Sequence, residues 1–180
     1  MNNIYYQKYI KYKTKYQNLK KQTGGQNINK NFTITSPNFI NYEKLDDKYK
    51  LDKCGGQNIF PTLIFHDPSP NTKSYALIMD DPDAIHGLWI HFICWNIPKQ
   101  FTQLDNDNIQ NVIIGKNSWN ENKYGGPCPP QKSGKHRYFF KVYALDTILN
   151  IDKNTNKEEL LKIIKPYIID QTEIVGIIYA

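Results

Sequence analysis

Tyr124-Gly125-Gly126-Pro127-Cys128-Pro129-Pro130, followed shortly by Lys135-His136-Arg137-Tyr138, decides how this chain reads. The Gly/Pro run is too turn-rich for a helix and too poor in N–H donors for a central strand. The second stretch opens an alternating apolar run over residues 137–145, which predicts a strand. A rigid loop that feeds a strand presents polar side chains at a sheet end, where binding residues collect. Asp81, Asp83, His91 and His136 are expected to converge there.

The surrounding pattern is one of short strands. Apolar or alternating runs at residues 32–35, 63–65, 75–79, 89–97, 112–114, 138–145 and 173–179 are separated by Pro, Gly, Asn and Asp clusters. Residues 99–111 read as polar loop. Thr155-Asn156-Lys157-Glu158 reads as a capping box that starts the internal helix, with Leu160, Leu161, Ile163 and Ile164 as its apolar face and Pro166 as its end. The fold class expected is mainly β, a large antiparallel sheet packed with a smaller one.

Residues 4–21 differ from the rest. Tyr5, Tyr9, Tyr12, Tyr16 and Leu19 fall at heptad-like spacing among lysines, before Gly24-Gly25. This reads as a basic helical appendage and linker over residues 1–30, with the globular domain over 31–180. A sharper reading makes 4–21 a docking helix for a partner or for peripheral contact with an anionic membrane. The charge is concentrated here: seven of the 23 Lys and Arg lie in residues 1–30, which hold no acid, and the remainder has 16 basic against 17 acidic residues. The globular part is near neutral, so a nucleic-acid partner is not expected.

Three cysteines without a CxxC pair argue against a disulfide framework and for a reducing, cytoplasmic setting. Cys128 reads as a packed residue between prolines. Asp80-Asp81-Pro82-Asp83 reads either as a turn or as a polar or cation site. His91 lies inside an apolar strand. Alternation places Trp89, His91 and Ile93 on one face, and Ile90, Phe92 and Cys94 on the other. His66 and His86 read as surface residues. Asp81, Asp83, His91 and His136 are acceptable metal ligands by type, but no pair has the spacing of a metal motif, so neither metal nor cofactor is expected. Ser118 and Ser133 lie in the long loop without a G-x-S-x-G elbow, which leaves acyl transfer unsupported by motif.

Taken in order, Asp81-Pro82-Asp83-Ala84, Trp89-Ile90-His91-Phe92, Tyr124-Gly-Gly-Pro-Cys-Pro-Pro130 and His136-Arg137-Tyr138 resemble the phosphatidylethanolamine-binding protein family, in its bacterial and archaeal form. Cys54-Gly55-Gly56-Gln57-Asn58, Pro61, Asn117-Ser118 and Tyr143-Ala144-Leu145-Asp146 support it, and the resemblance spans residues 32–179. The Lys/Tyr-rich tail and the Asn/Ile bias resemble proteins of giant DNA viruses of amoebae.

The resemblance implies a two-sheet fold and a small pocket for phosphate-like anions or a phospholipid headgroup. It implies that Asp81 and His91 line this pocket, that Gly126, Pro127 and the following prolines form a wall, and that His136 and Tyr138 close it. Asp83 is expected to hold the loop. The implied function is non-enzymatic binding of a phosphate or phosphoethanolamine-type ligand. The alternatives are inhibition of a kinase or serine protease, and hydrolysis by His91, His136 and Asp81. Three departures stand out: Ile85 where the family carries Pro, Phe60 before Pro61 in place of serine, and Lys165-Pro166-Tyr167 where a histidine is common.

Overall fold

The computed structural model describes residues 32–180. The helix expected over residues 4–21 lies outside them. In chain order the elements are β1 (Thr33–Thr35), β2 (Leu63–His66), β3 (Ser74–Asp81), β4 (Trp89–Pro98), β5 (Gln103–Leu104), β6 (Ile113–Ile114), β7 (Lys135–Leu145), α1 (Lys157–Ile164) and β8 (Ile168–Tyr179). The larger sheet runs β6-β4-β3-β7-β8 and the smaller β1-β2-β5, every pair antiparallel. A one-residue parallel bridge between Lys44 and Ile177 adds a sixth segment at the β8 edge. The mainly β class, its two sheets and its single α-helix among the described residues agree with the sequence reading.

Strand alternation splits β3 and β7 between two cores. Tyr75, Leu77 and Met79 of β3, with Tyr138, Phe140 and Val142 of β7, face the smaller sheet. Ala76 and Ile78, with Tyr143 and Leu145, face α1 and its Leu160 and Ile164. Both faces of β3 are buried, and residues 75–79 form an unbroken apolar run, as a strand covered on both sides requires. Phe60 packs among Phe92, Tyr124 and Phe140 at centroid distances of 5.5, 5.3 and 6.1 Å.

Two details correct the sequence reading. The α1 cap is Asn156, not Thr155. Asn156 accepts from the Glu159 N–H at 3.0 Å and Glu159 accepts from the Asn156 N–H at 3.0 Å. Overlapping T-x-x-E and N-x-x-E spacings permit both frames; Thr155 is instead committed to the Asp152 carbonyl at 2.6 Å. Residues 99–111 are not wholly loop, since β5 and a 3-10 turn at Ile109–Asn111 lie within them.

The β3–β4 ladder pairs Met79 with Phe92 and Asp80 with Ile90. His91 is the extra residue between those pairs, a β-bulge that breaks simple alternation. Ile90 therefore joins the helix-side core while Phe92 and Cys94 join the inter-sheet core, and not one shared face as period two predicts.

Candidate functional site

The end of the inter-sheet layer opens into a pocket of about 240 Å³. Asp81 reaches it as the last residue of β3, His136 and Tyr138 from the start of β7, and His91 from the bulge. A bulge re-aims a side chain without ending the strand, and here it puts an imidazole beside the loop that follows β6. That loop is pinned along β4. Ser118 Oγ accepts from the Ile90 N–H at 2.8 Å, and the Ser118 N–H donates to the Ile90 carbonyl at 2.9 Å. The Gly125 N–H donates to the His91 carbonyl at 3.1 Å, while His91 Nδ1–H donates to the Gly125 carbonyl at 2.8 Å.

This last bond fixes the His91 tautomer. A carbonyl only accepts, so Nδ1 carries a proton. Burial depresses the His91 pKa below its ordinary value, against opposing pulls from the Gly125 carbonyl and Asp81. The ring is therefore neutral at pH 7, with an Nε2 lone pair that accepts a proton from a protonated ligand oxygen or an ammonium. The ring stands edge-on to Trp119 and to Tyr138, at 5.4 and 5.2 Å. The Trp119 backbone is held by Asn117, whose Oδ1 accepts the Trp119 main-chain N–H at 2.9 Å.

Both oxygens of Asp81 accept from the protein. Its Oδ1 accepts the Asp83 N–H at 2.8 Å and its Oδ2 accepts from His136 Nδ1 at 2.7 Å. The Tyr138 hydroxyl faces the field of the same carboxylate. Burial raises the Tyr138 pKa and the Asp81 charge raises it further, so the hydroxyl stays protonated. The aspartate orients its neighbours.

The wall is built differently from expectation. Gly126 and Pro127 do not line the pocket; Cys128, Pro129 and Pro130 do. Gly126 and Pro127 anchor the wall from behind. The Gly126 N–H donates to Asn58 Oδ1 at 2.8 Å, and the Pro127 carbonyl accepts the Leu51 N–H at 3.0 Å. A Cβ on Gly126 would sit 2.3 Å from the Tyr49 carbonyl oxygen, so only glycine permits this approach.

Cys128 and Cys54 form a disulfide with Cα atoms 5.6 Å apart, which overturns the expectation of unpaired thiols. Cysteines 74 residues apart carry no local spacing signal, and it is the docking of residues 49–58 against the wall that brings them together. The cysteine argument for a reducing setting falls with it. No helix among the described residues is long and apolar enough to cross a membrane.

Asp83 also lies outside the pocket lining. Alternation turns Arg137 away from His136 and Tyr138, and there it meets Asp83: Nε to Oδ2 at 2.7 Å, Nη2 to Oδ1 at 2.8 Å. The expected loop-holding role of Asp83 thus has a partner in Arg137. His86, expected on the surface, is exposed but stands on the pocket rim with Ile85, Trp89 and Lys53. Trp119, Trp89, Lys53 and His86 escaped the sequence reading as site residues. The Asn117-Ser118-Trp119 motif was the one available signal, since it places an aromatic beside a structured turn. Among the described residues, no group of three or more His, Cys, Asp or Glu is arranged to hold a metal ion.

The comparisons with known proteins agree with this architecture. A family profile described as phosphatidylethanolamine-binding protein matches residues 35–180, so the chain belongs to that family. It is 40% identical over 146 residues to a UPF0098 protein of Pyrococcus horikoshii, covering 77% of this chain and 72% of that one. It is 37% identical over 131 residues to a UPF0098 protein of Methanothermobacter thermautotrophicus, covering 69% and 85%. Among solved structures, a PEBP homologue from Chlamydia trachomatis superposes with a TM-score of 0.75 at 35% identity, over 82% of this chain and 96% of that one. The structure of E. coli YbcL, described as a new member of the mammalian PEBP family, gives 0.74 at 28% identity, over 81% and 96%. These relatives place the chain in the bacterial and archaeal branch of the family.

Proposed function

We propose that the chain is a binding protein whose pocket accepts a phosphate-bearing ligand, either a phospholipid headgroup or a phosphorylated partner segment. The observation that carries this reading is the convergence of His91 and His136 on a pocket in which, among the described residues, Asp81 is the one lining carboxylate and each of its oxygens already accepts a hydrogen bond from the protein. With its Nδ1 bonded to the Gly125 carbonyl, His91 keeps Nε2 for a ligand, while His136 is held by Asp81 and Ser133. A monoprotonated phosphate donates its proton to the neutral His91 Nε2, and Lys53 on the rim supplies positive charge. Trp89 and Trp119, with ring centroids 5.2 Å apart, give an aromatic side to the entrance that suits an ammonium group on the same ligand.

The experiment is a thermal-shift titration with phosphorylethanolamine in the presence of a chelator. A specific ligand at 100 times its Kd stabilises by about 2.7 kcal/mol, a shift of several degrees. Stabilisation without metal, lost in His91→Ala, supports the reading; no stabilisation at millimolar ligand would end it.

A further inference from the structure

We propose that Ser133 is a nucleophile activated by His136 and Asp81, and that the chain transfers acyl groups from carboxylic esters whose alcohol portion bears a phosphate. Asp81 Oδ2 lies 2.7 Å from His136 Nδ1, and His136 Nε2 lies 2.9 Å from Ser133 Oγ. Carboxylate, imidazole and hydroxyl thus stand in the hydrogen-bonded order used by serine hydrolases on unrelated folds, where geometry and role define the triad and chain order does not. The aspartate and histidine are buried and the serine is half-exposed, as a nucleophile open to substrate requires. No elbow motif announces Ser133. It sits in the turn between the pocket wall and β7, three residues ahead of its histidine.

The resting state has one hydroxyl proton and two acceptors. Ser133 Oγ lies 2.5 Å from the Pro130 carbonyl and 2.9 Å from His136 Nε2. Rotation about the Cβ–Oγ bond passes the proton from the carbonyl to the imidazole, so the serine is engaged without moving the backbone. Asp81 keeps His136 in the Nδ1–H tautomer, which leaves Nε2 as the base. Both residues that flank Ser133 in space, Pro130 and His136, line the pocket. A ligand held there by its phosphate would therefore present its ester outward, at the serine.

In the reaction the Ser133 Oγ–C bond forms at the ester carbonyl and His136 Nε2 takes the hydroxyl proton. The bond from carbonyl carbon to leaving oxygen then breaks, and that oxygen receives the proton from His136. Water repeats the sequence in the second half and frees the acid. Gly134 follows the nucleophile at φ 86°, just before the ladder begins at Lys135. The N–H after the nucleophile is the usual donor to the oxyanion.

The phosphate in this substrate rests on the binding reading above; the nucleophile does not. A fluorophosphonate tests them separately, because attack by Ser133 forms an O–P bond and expels fluoride with no acyl group needed. Intact-mass and peptide analysis should show one adduct per chain, on Ser133, and none in Ser133→Ala. His136→Gln should slow labelling about 100-fold or more, the low end of general-base contributions. To separate loss of chemistry from loss of fold, Ser133→Cys is alkylated with iodoacetamide. Its thiol should react faster than the same thiol in a Ser133→Cys, His136→Gln double variant of equal melting temperature. Absence of an adduct, or labelling that persists undiminished in His136→Gln, overturns the proposal. Labelling at Ser133 that millimolar inorganic phosphate fails to slow removes the phosphate from the substrate, and the pocket reading with it.

Discussion

The Arg137 guanidinium grips Asp83 at both carboxylate oxygens, while the Arg137 backbone N–H donates to the same carboxylate at 3.1 Å. Three charge-assisted bonds thus tie the loop after β3 to the start of β7, the two segments that deliver Asp81 and His136. Arg137→Lys keeps the charge but loses the fork. It should cost about 1.5–3 kcal/mol, the worth of a hydrogen bond to a charged group, measured by urea denaturation. Phosphorylethanolamine affinity should fall with it. Unchanged affinity in a destabilised variant would show that the clasp serves the fold alone.

Asp80 stands back to back with Asp81 and faces the helix layer. It meets Lys141 Nζ at 2.7 Å and Lys157 Nζ at 2.9 Å, fully buried. Burial by itself would raise the Asp80 pKa; the two ammonium groups override it and hold the value below the ordinary range. The folded carboxylate therefore resists protonation more than the unfolded one. Its stabilisation is complete above the unfolded value of about 3.9 and is lost as pH falls through the folded value. Asp80→Asn leaves two buried ammonium groups short of their shared counter-charge and should cost about 3–5 kcal/mol at pH 7. The difference from wild type should narrow in acid, as followed by denaturation at pH 7 and below 4.

His91 gives a second pH signature. Its folded pKa lies below its unfolded one, so below about 6.5 the unfolded chain binds a proton that the folded chain refuses. The ligand-free protein should lose stability as pH falls through the folded value, and His91→Gln should flatten that slope. Binding of inorganic phosphate should strengthen over the same descent, because a protonated His91 presents an Nε2–H donor to the anion. Calorimetry from pH 8 down to the acid limit of the folded state checks this. Affinity that stays constant across that range would remove His91 from the ligand contact.

Reduction of the Cys54–Cys128 bond should lower stability by about 2–5 kcal/mol, in line with the closure of so long a loop. Both residues are half-buried, so dithiothreitol should reach them without prior unfolding. Because Cys128 lines the pocket, the same treatment should weaken phosphorylethanolamine binding. Cys54→Ser should reproduce both effects without reductant. A melting temperature indifferent to reductant would show that the bond contributes nothing.

Gly126→Ala tests the wall directly. The added methyl meets the Tyr49 backbone and cannot be relieved by a side-chain rotation. A cost of about 1–3 kcal/mol is expected by thermal melting, together with loss of ligand stabilisation. A fully stable, fully binding variant would mean that the wall gives way at no cost.

Much of this was legible because local patterns and tertiary structure agree. The strands announced themselves by alternation and by their Pro and Gly boundaries, and the helix by its cap and apolar face. The pocket members Asp81, His91, His136 and Tyr138 stood next to such boundaries. What stayed hidden depends on contacts between distant segments. The Cys54–Cys128 pair, the Asn58 support of Gly126 and the rim position of Lys53 all follow from residues 49–58 docking against the wall. The Ser133–His136 contact is close in sequence, yet only the turn geometry aims one at the other. His91 was found for an incomplete reason: period two gave it a face, but the bulge is what aims it.

That bulge has an evolutionary consequence. Since His91 is the one surplus residue between two fixed pairs, strand length and site chemistry are the same variable. Deleting a residue between Trp89 and Phe92 would restore a regular ladder and erase the imidazole's place in one step. Inserting one would deliver a hydrophobic neighbour where His91 now stands. Point substitutions can tune this pocket gradually, but a change in length between Trp89 and Phe92 is all-or-nothing for it. The rim residues Lys53, Ile85 and His86 carry no such constraint.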